Sequence, residues 1–187
     1  MKDMVLKCCF WLLFAGIPFF ASGQWGNGQV SVFFSLPEVA LVDIESAGDN
    51  QIHFSILPSS ESGQPPELSK IPDETLWINY SSALSRNQDS RAVTAEISQG
   101  NVPEGLRLFL EAGRYLGNGR GSLGQPAGKT ELTNSPRPIV TGIGNCYTGD
   151  GVNNGHQLSF SIEIADYEKL KADDQIYFEV LYTLTDN

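Results

Sequence analysis

Apolar and polar residues alternate position by position along most of this chain, and a side-chain period of two belongs to a β-strand with one buried face, not to a helix. Leu158, Phe160, Ile162 and Ile164 are interleaved with Gln157, Ser159, Ser161 and Glu163. Ile176, Phe178, Val180, Tyr182 and Leu184 repeat the pattern near the C-terminus. Earlier sets are Val30, Val32, Phe34, Leu36; Ile52, Phe54, Ile56; Leu76, Ile78, Tyr80; Val93, Ala95, Ile97; and Leu106, Leu108, Leu110. With Val39 to Glu45 and Ile139 to Ile143, about nine short strands are expected, bounded by Gly, Pro, Asn and Ser clusters. The connections are too polar and too rich in Gly and Pro for the helical crossovers of a parallel sheet. The fold expected is therefore all-β: an antiparallel β-sandwich, immunoglobulin-like or pilin-like, with one short helical turn at Asp166 to Ala172 that Asp166 can cap.

The first residues follow a different logic. Lys2 and Lys7 flank the entry to an apolar run, Cys8 to Phe20, and Ala21-Ser22-Gly23 supplies the small residues of a signal-peptidase site. The run is shorter than the roughly 20 apolar residues of a membrane span, so a removed signal peptide over 1–23 is expected, with no transmembrane anchor. One β-sandwich domain over 24–187 is left, placed in the periplasm, at the cell surface or in the medium. Of the three cysteines, Cys8 and Cys9 leave with the signal, so Cys146 has no disulfide partner and the core must carry the stability.

Loss of Lys2, Asp3 and Lys7 makes the mature chain one unit more negative than the −10 of the full sequence, which disfavours nucleic acid and anionic membrane surfaces as partners. Two long connections are expected: Pro58 to Pro72, stiffened by four prolines, and Gly113 to Gly128, loosened by six glycines. If the strands from Gln51 onward simply alternate in direction, the loops at 82–91, 113–137 and 165–174 share one end of the sandwich. Those at 58–75, 99–105 and 143–156 then share the other, acidic end, and the first end is net positive. An acidic ligand or head-to-tail association at Arg114, Tyr115 and Arg120 is one expectation from that polarity, weighed against an ordinary solvated surface.

Gly142 to His156 is the densest cluster of unusual residues. Asp150-Gly-Val-Asn-Asn-Gly155 has the spelling of a calcium loop, but Val152 falls on a ligand position and Ser161 stands where a bidentate Glu is needed, so a tight turn with positive φ is expected and no metal. Cys146, Asp150 and His156 have the residue types of a nucleophile, an orienter and a base, against the alternative of a buried, inert thiol. No catalytic residue, metal ligand or cofactor is assigned. Candidate binding residues are Arg114, Tyr115, Arg120, Tyr147, Asp150, Asn153 and His156. Trp77 is expected on the face opposite Leu76, Ile78 and Tyr80, buried in a second layer or at an interface.

Val39-Ala-Leu-Val-Asp-Ile-Glu45, Leu76-Trp-Ile-Asn-Tyr-Ser81, Ile139-Val-Thr-Gly-Ile-Gly144, Tyr147-Thr-Gly-Asp-Gly-Val-Asn-Asn-Gly-His156 and Val180-Leu-Tyr-Thr-Leu-Thr185 together resemble a family of small secreted β-sandwich proteins of Bacteroidetes. The closing strand is more loosely similar to the ends of WxL-type wall-binding domains and fimbrial subunits, although no Trp-x-Leu motif is present. The resemblance implies a structural scaffold and prescribes no reaction. The function expected is a non-enzymatic binding or assembly module of the bacterial envelope, adhesive or fimbria-like. Its partners would be an envelope protein, a glycan or a second copy paired through an N-terminal strand, Gln29 to Leu36. The alternative is an exported glycan-active hydrolase on the same scaffold, since fold alone does not separate the two.

Overall fold

The computed structural model describes residues 31–48, 50–68, 73–171 and 176–187; the signal-like segment, Gln29 and Val30 lie outside them. The chain divides into two compact units, Met1–Ser35 and Leu36–Asn187. Of the first, residues 31–35 are described: they are exposed and belong to no strand. This corrects the expected strand Gln29 to Leu36, whose described residues are unpaired in spite of their alternation. Period two licenses a strand only where a partner edge is open to it.

The second unit is an antiparallel β-sandwich-like structure. Its strand segments are β1 (Val39–Ser46), β2 (Ile56–Leu57), β3 (Glu67–Leu68), β4 (Asp73–Ala83), β5 (Arg91–Gln99), β6 (Leu106–Leu116), β7 (Arg120–Pro126), β8 (Thr130–Glu131), β9 (Arg137–Tyr147), β10 (Gly155–Ile164) and β11 (Glu179–Asp186). Seven of the expected strands are present. The eighth, Ile52 to Ile56, shrinks to β2, while Ile52 and Phe54 still pack on the core. The helical turn is a 3-10 turn, Tyr167–Lys169, capped as expected by Asp166, which accepts from Glu168 N–H at 3.2 Å. Among the described residues no helix is long and apolar enough to cross a membrane.

The register explains how one sheet makes two layers. Along one path, Leu76 of β4 stands opposite Leu158 of β10, Ile78 opposite His156 and Ser82 opposite Cys146 of β9; then Arg91 of β5 stands opposite Ile143 and Ala95 opposite Arg137. Thus β4 and β5 run in the same sense, both antiparallel to a single course made by β9 and β10. On the other side of that course, Leu106 to Leu116 of β6 pair with β10, and Arg120 to Pro126 of β7 pair with β9, again in one sense. A fourth course is assembled from β1 and β11: β1 pairs with β4 from Ser46 to Val39, and β11 pairs with β5 from Asp186 to Glu179.

Each course breaks at the same level, at residues 84–90, 117–119 and 148–154 and at the junction of Asp186 with Glu38. Along this crease the sheet folds over itself. Leu76, Ile78, Leu108, Leu110 and Leu158 from one half then close on Val93, Ala95, Ile97, Ile139, Val140 and Ile143 from the other. Trp77 is buried outside that cluster, on the opposite face of β4, as its parity requires.

Two expectations are corrected here. Gly113 to Gly128 is not a loop: it holds the end of β6, a three-residue break and β7. The assignment of loops to ends fails with it, because β4 to β5, β6 to β7 and β9 to β10 continue across the crease instead of reversing. The breaks at 84–90, 117–119 and 148–154 therefore lie together, and the Arg114–Arg120 group meets the Tyr147–His156 group.

Candidate functional site

A crease in a sheet removes ladder hydrogen bonds, and every buried backbone group freed there needs another partner. Side chains supply them. Thr148 acts as a splint between β9 and β4: its N–H donates to Tyr80 O at 3.0 Å while its Oγ1 accepts from Tyr80 N–H at 2.9 Å. The Tyr115 hydroxyl donates to Thr148 O at 2.9 Å and accepts from Gly119 N–H. Asn145 Oδ1 accepts from Leu84 N–H at 2.7 Å, and Asn79 Nδ2 donates to Gly151 O at 3.0 Å, holding the 148–154 loop against β4.

His156 lies at the centre, fully enclosed. Its Nδ1 is 2.8 Å from Gly113 O, an acceptor only, so Nδ1 carries a proton and donates. Nε2 is 2.9 Å from the Tyr80 hydroxyl, which also reaches Leu123 O. Tyr80 stacks on the imidazole with centroids 5.9 Å apart, and Tyr115 meets it edge-on at 6.0 Å. Burial pulls the His156 pKa below its ordinary value, against the opposing pull of the Gly113 and Leu123 carbonyls. With a neutral imidazole, one hydroxyl proton on Tyr80 faces two acceptors. The tyrosine is itself held protonated, its pKa raised chiefly by burial.

At the outer end of the crease, Arg91 performs the same service for the start of β1 and the end of β11. Its guanidinium, 1% exposed, donates through Nε to Asp186 Oδ1 at 2.7 Å and through its terminal nitrogens to Glu38 Oε1, Val39 O and Ser82 Oγ. β1, β4, β5 and β11 all converge on this one side chain. Arg91 has the parity of Val93, Ala95 and Ile97, and that parity is the sequence signal that places it inside.

The seven candidate binding residues separate accordingly. Tyr115 faces His156 across the β6–β10 pair and Arg120 faces Tyr147 across the β7–β9 pair, so the structure does bring the two groups together. His156 is fully buried and the half-buried Tyr115 has its hydroxyl engaged by main-chain groups. Arg114, Arg120, Tyr147, Asp150 and Asn153 remain exposed around the crease. Asn153 adopts φ 64° and Gly149, Gly151 and Gly155 adopt φ 93°, 82° and 80°, the tight positive-φ turn expected from their types. Gly155 is obligatory for a second reason: a Cβ there would lie 2.0 Å from Ile78 O.

Leu41 and Asp43 of β1, Asn79 and Ser81 of β4, and Tyr147, Gly149 and Asp150 line a cleft of about 490 Å³ on the outer face. Asn79 Oδ1 in its wall is enclosed and has no hydrogen-bond donor. The grouping of Cys146, Asp150 and His156 does not form a catalytic arrangement. Burial pushes the Cys146 thiol up to about 11, the reverse of an activated nucleophile, and both imidazole nitrogens are committed to other partners. Among the described residues no group of three His, Cys, Asp or Glu side chains could hold a metal ion.

Among the described residues, one run of exposed apolar side chains precedes β1 in the sequence. Val32, Phe33, Phe34 and Leu36 are between 78% and 92% exposed, immediately before β1. No family model matches the chain, and no curated protein or solved structure matches it.

Proposed function

We propose that this protein is an exported, non-enzymatic β-sandwich module that assembles or adheres at the bacterial envelope through its N-terminal segment. The observation that carries this reading is the run Val32, Phe33, Phe34, Leu36, exposed and without regular structure. Four large apolar side chains in one short segment of a chain released into water favour burial against a partner. Val32, Phe34 and Leu36 have the period-two spacing that suits an added strand, and strand addition satisfies backbone and side chains together. The signal-like start supports export, and the resemblance to secreted β-sandwich proteins of Bacteroidetes supports the same location. The polar groups of the crease are spent on backbone, which favours a scaffold over a hydrolase.

Expression in a bacterial host, followed by fractionation and N-terminal sequencing, tests the export half of the reading. A product beginning near Gln24 in the periplasm or medium is expected, and an uncleaved cytoplasmic product contradicts it. The binding half is tested by light scattering on exported protein carrying Phe33→Ser and Phe34→Ser. Loss of self-association and of retention on envelope fragments is expected; unaltered behaviour in both contradicts it.

A further inference from the structure

The outer face of the crease holds polar groups that the scaffold does not spend. β1 turns Val42 and Ile44 to the core, which leaves Leu41 and Asp43 pointing outward by parity. Register carries that face across the sheet: Leu41 stands opposite Ser81, Ser81 opposite Tyr147, and Asp43 opposite Asn79. Directly opposed residues share a face, and these side chains line one cleft of about 490 Å³, a volume usual for ligand sites.

Asp150 reaches the same cleft because Asn79 fastens the turn that carries it. Asn79 Nδ2 donates to Gly151 O at 3.0 Å, while its Oδ1 has no donor although the residue is only 5% exposed. Asp43 spends one carboxylate oxygen on Ile44 N–H at 2.8 Å. Among the described residues neither Asp43 nor Asp150 has an ion pair, and no Lys, Arg or His lines the cleft. Two carboxylates and an amide oxygen are acceptors, and the Ser81 hydroxyl accepts as readily as it donates. What fills this cleft has to bring donors and positive charge.

The apolar part of the lining completes the description. Leu41 is 66% exposed and Tyr147 49%, an aliphatic surface beside an aromatic ring. That pair suits a hydrocarbon stem ending in a cation. Arg120, opposite Tyr147, belongs to β7, three strands from β1 and so about 14 Å away at the usual strand spacing. It does not occupy the Asp43 end.

We propose that the cleft binds a lysine or arginine side chain presented by a partner protein, its cation held by Asp43 and Asp150 and its stem laid on Leu41 and Tyr147. A neutral sugar brings acceptors as well as donors, and the lining has no cation to answer them. The net charge of −10 draws a basic partner toward the chain. The site uses none of Val32, Phe33 and Phe34, so it stands independently of assembly through that segment.

The test follows the amide NMR shifts of Tyr147, Gly149 and Asp150 in exported protein. The probes are a blocked Ala-Lys-Ala tripeptide, the same peptide with norleucine for lysine, and a neutral N-acetylglucosamine disaccharide. Saturable shifts are expected with the lysine peptide by about 10 mM, with the norleucine peptide and the disaccharide at least about tenfold weaker. Asp43→Asn combined with Asp150→Asn is expected to weaken the lysine peptide about tenfold or more at an unchanged melting temperature, since asparagine keeps the acceptor for Ile44 N–H. No shift with the lysine peptide up to about 10 mM, or equal binding of the norleucine peptide, overturns the proposal. A lysine affinity that the double substitution leaves unchanged places the peptide elsewhere and overturns it as well. Saturation by the disaccharide at equal or lower concentration assigns the cleft to a glycan and overturns the cation site.

Discussion

Arg91 and Asp186 meet at 2.7 Å, the arginine inside and the aspartate at the rim, where the end of β11 reaches the start of β1. The arginine is buried, and its other acceptors are one further carboxylate, two main-chain carbonyls, the Ser82 hydroxyl and the Gln88 amide oxygen. Removing it strands these acceptors. Arg91→Ala is expected to cost about 1–3 kcal/mol by urea unfolding, the range for leaving enclosed acceptors such as Val39 O and Ser82 Oγ without their donor. Asp186→Asn, at the half-exposed rim, is expected to cost about 1 kcal/mol or less. Equal losses in the two variants would mean that Arg91 serves only its aspartate.

His156 makes stability depend on pH. Its pKa in the fold is below the ordinary 6.5, so folding favours the neutral ring. The contribution is complete above about pH 6.5 and declines as pH falls from there toward the lowered folded value, because the unfolded chain takes up the proton first. The thermal midpoint should therefore drop between pH 7.5 and pH 5 in the native protein. His156→Gln should flatten that slope. A variant with the native slope would assign the acid sensitivity to other groups.

Tyr182→Phe is expected to stabilise the monomer by about 1 kcal/mol, since it removes a buried hydroxyl that has no partner. Urea midpoints measure it. A destabilisation of similar size would show that the hydroxyl is satisfied in solution.

Gly155→Ala forces a side chain into φ 80° and toward Ile78 O. A loss of about 2 kcal/mol or more is expected, with hydrogen exchange accelerating first in β4 and β10, where the break adjoins Ile78. Uniform exchange rates in the two proteins would contradict the placement.

Period two identified the strands because burial acts on alternate residues whichever strand lies beside them, and seven segments were legible on that basis. What each strand pairs with was not. Gly119 lies so close to Tyr147 O that a Cβ would sit 2.1 Å from it, and Gly121 and Gly124 adopt positive φ. Those glycines are the marks of close backbone approach and bulging in a paired strand, yet in sequence they have the composition of a flexible loop. The loop assignment then inverted the ends of the sandwich, separating Tyr115 from His156 when they are opposite neighbours. Arg91 was missed for a related reason. Its parity with Val93, Ala95 and Ile97 points inward, but a charge at a strand start is ordinarily solvated, and the partners that make burial tolerable come from strands far away in sequence.

Cys146 should behave as a core residue. Its thiol, pushed up to about 11 by burial, is expected to resist alkylation at pH 8 in the native protein and to react fully in urea. Rapid native labelling would reopen a reactive role.

The measurement that bears most directly on the N-terminal segment is sedimentation of the exported protein beside a chain beginning at Pro37. Concentration-dependent association of the first, and a stable monomer with an unchanged melting profile for the second, are the predicted results. Association that survives loss of Val32, Phe33, Phe34 and Leu36, or an exported protein that stays monomeric up to about 100 μM, would contradict the account.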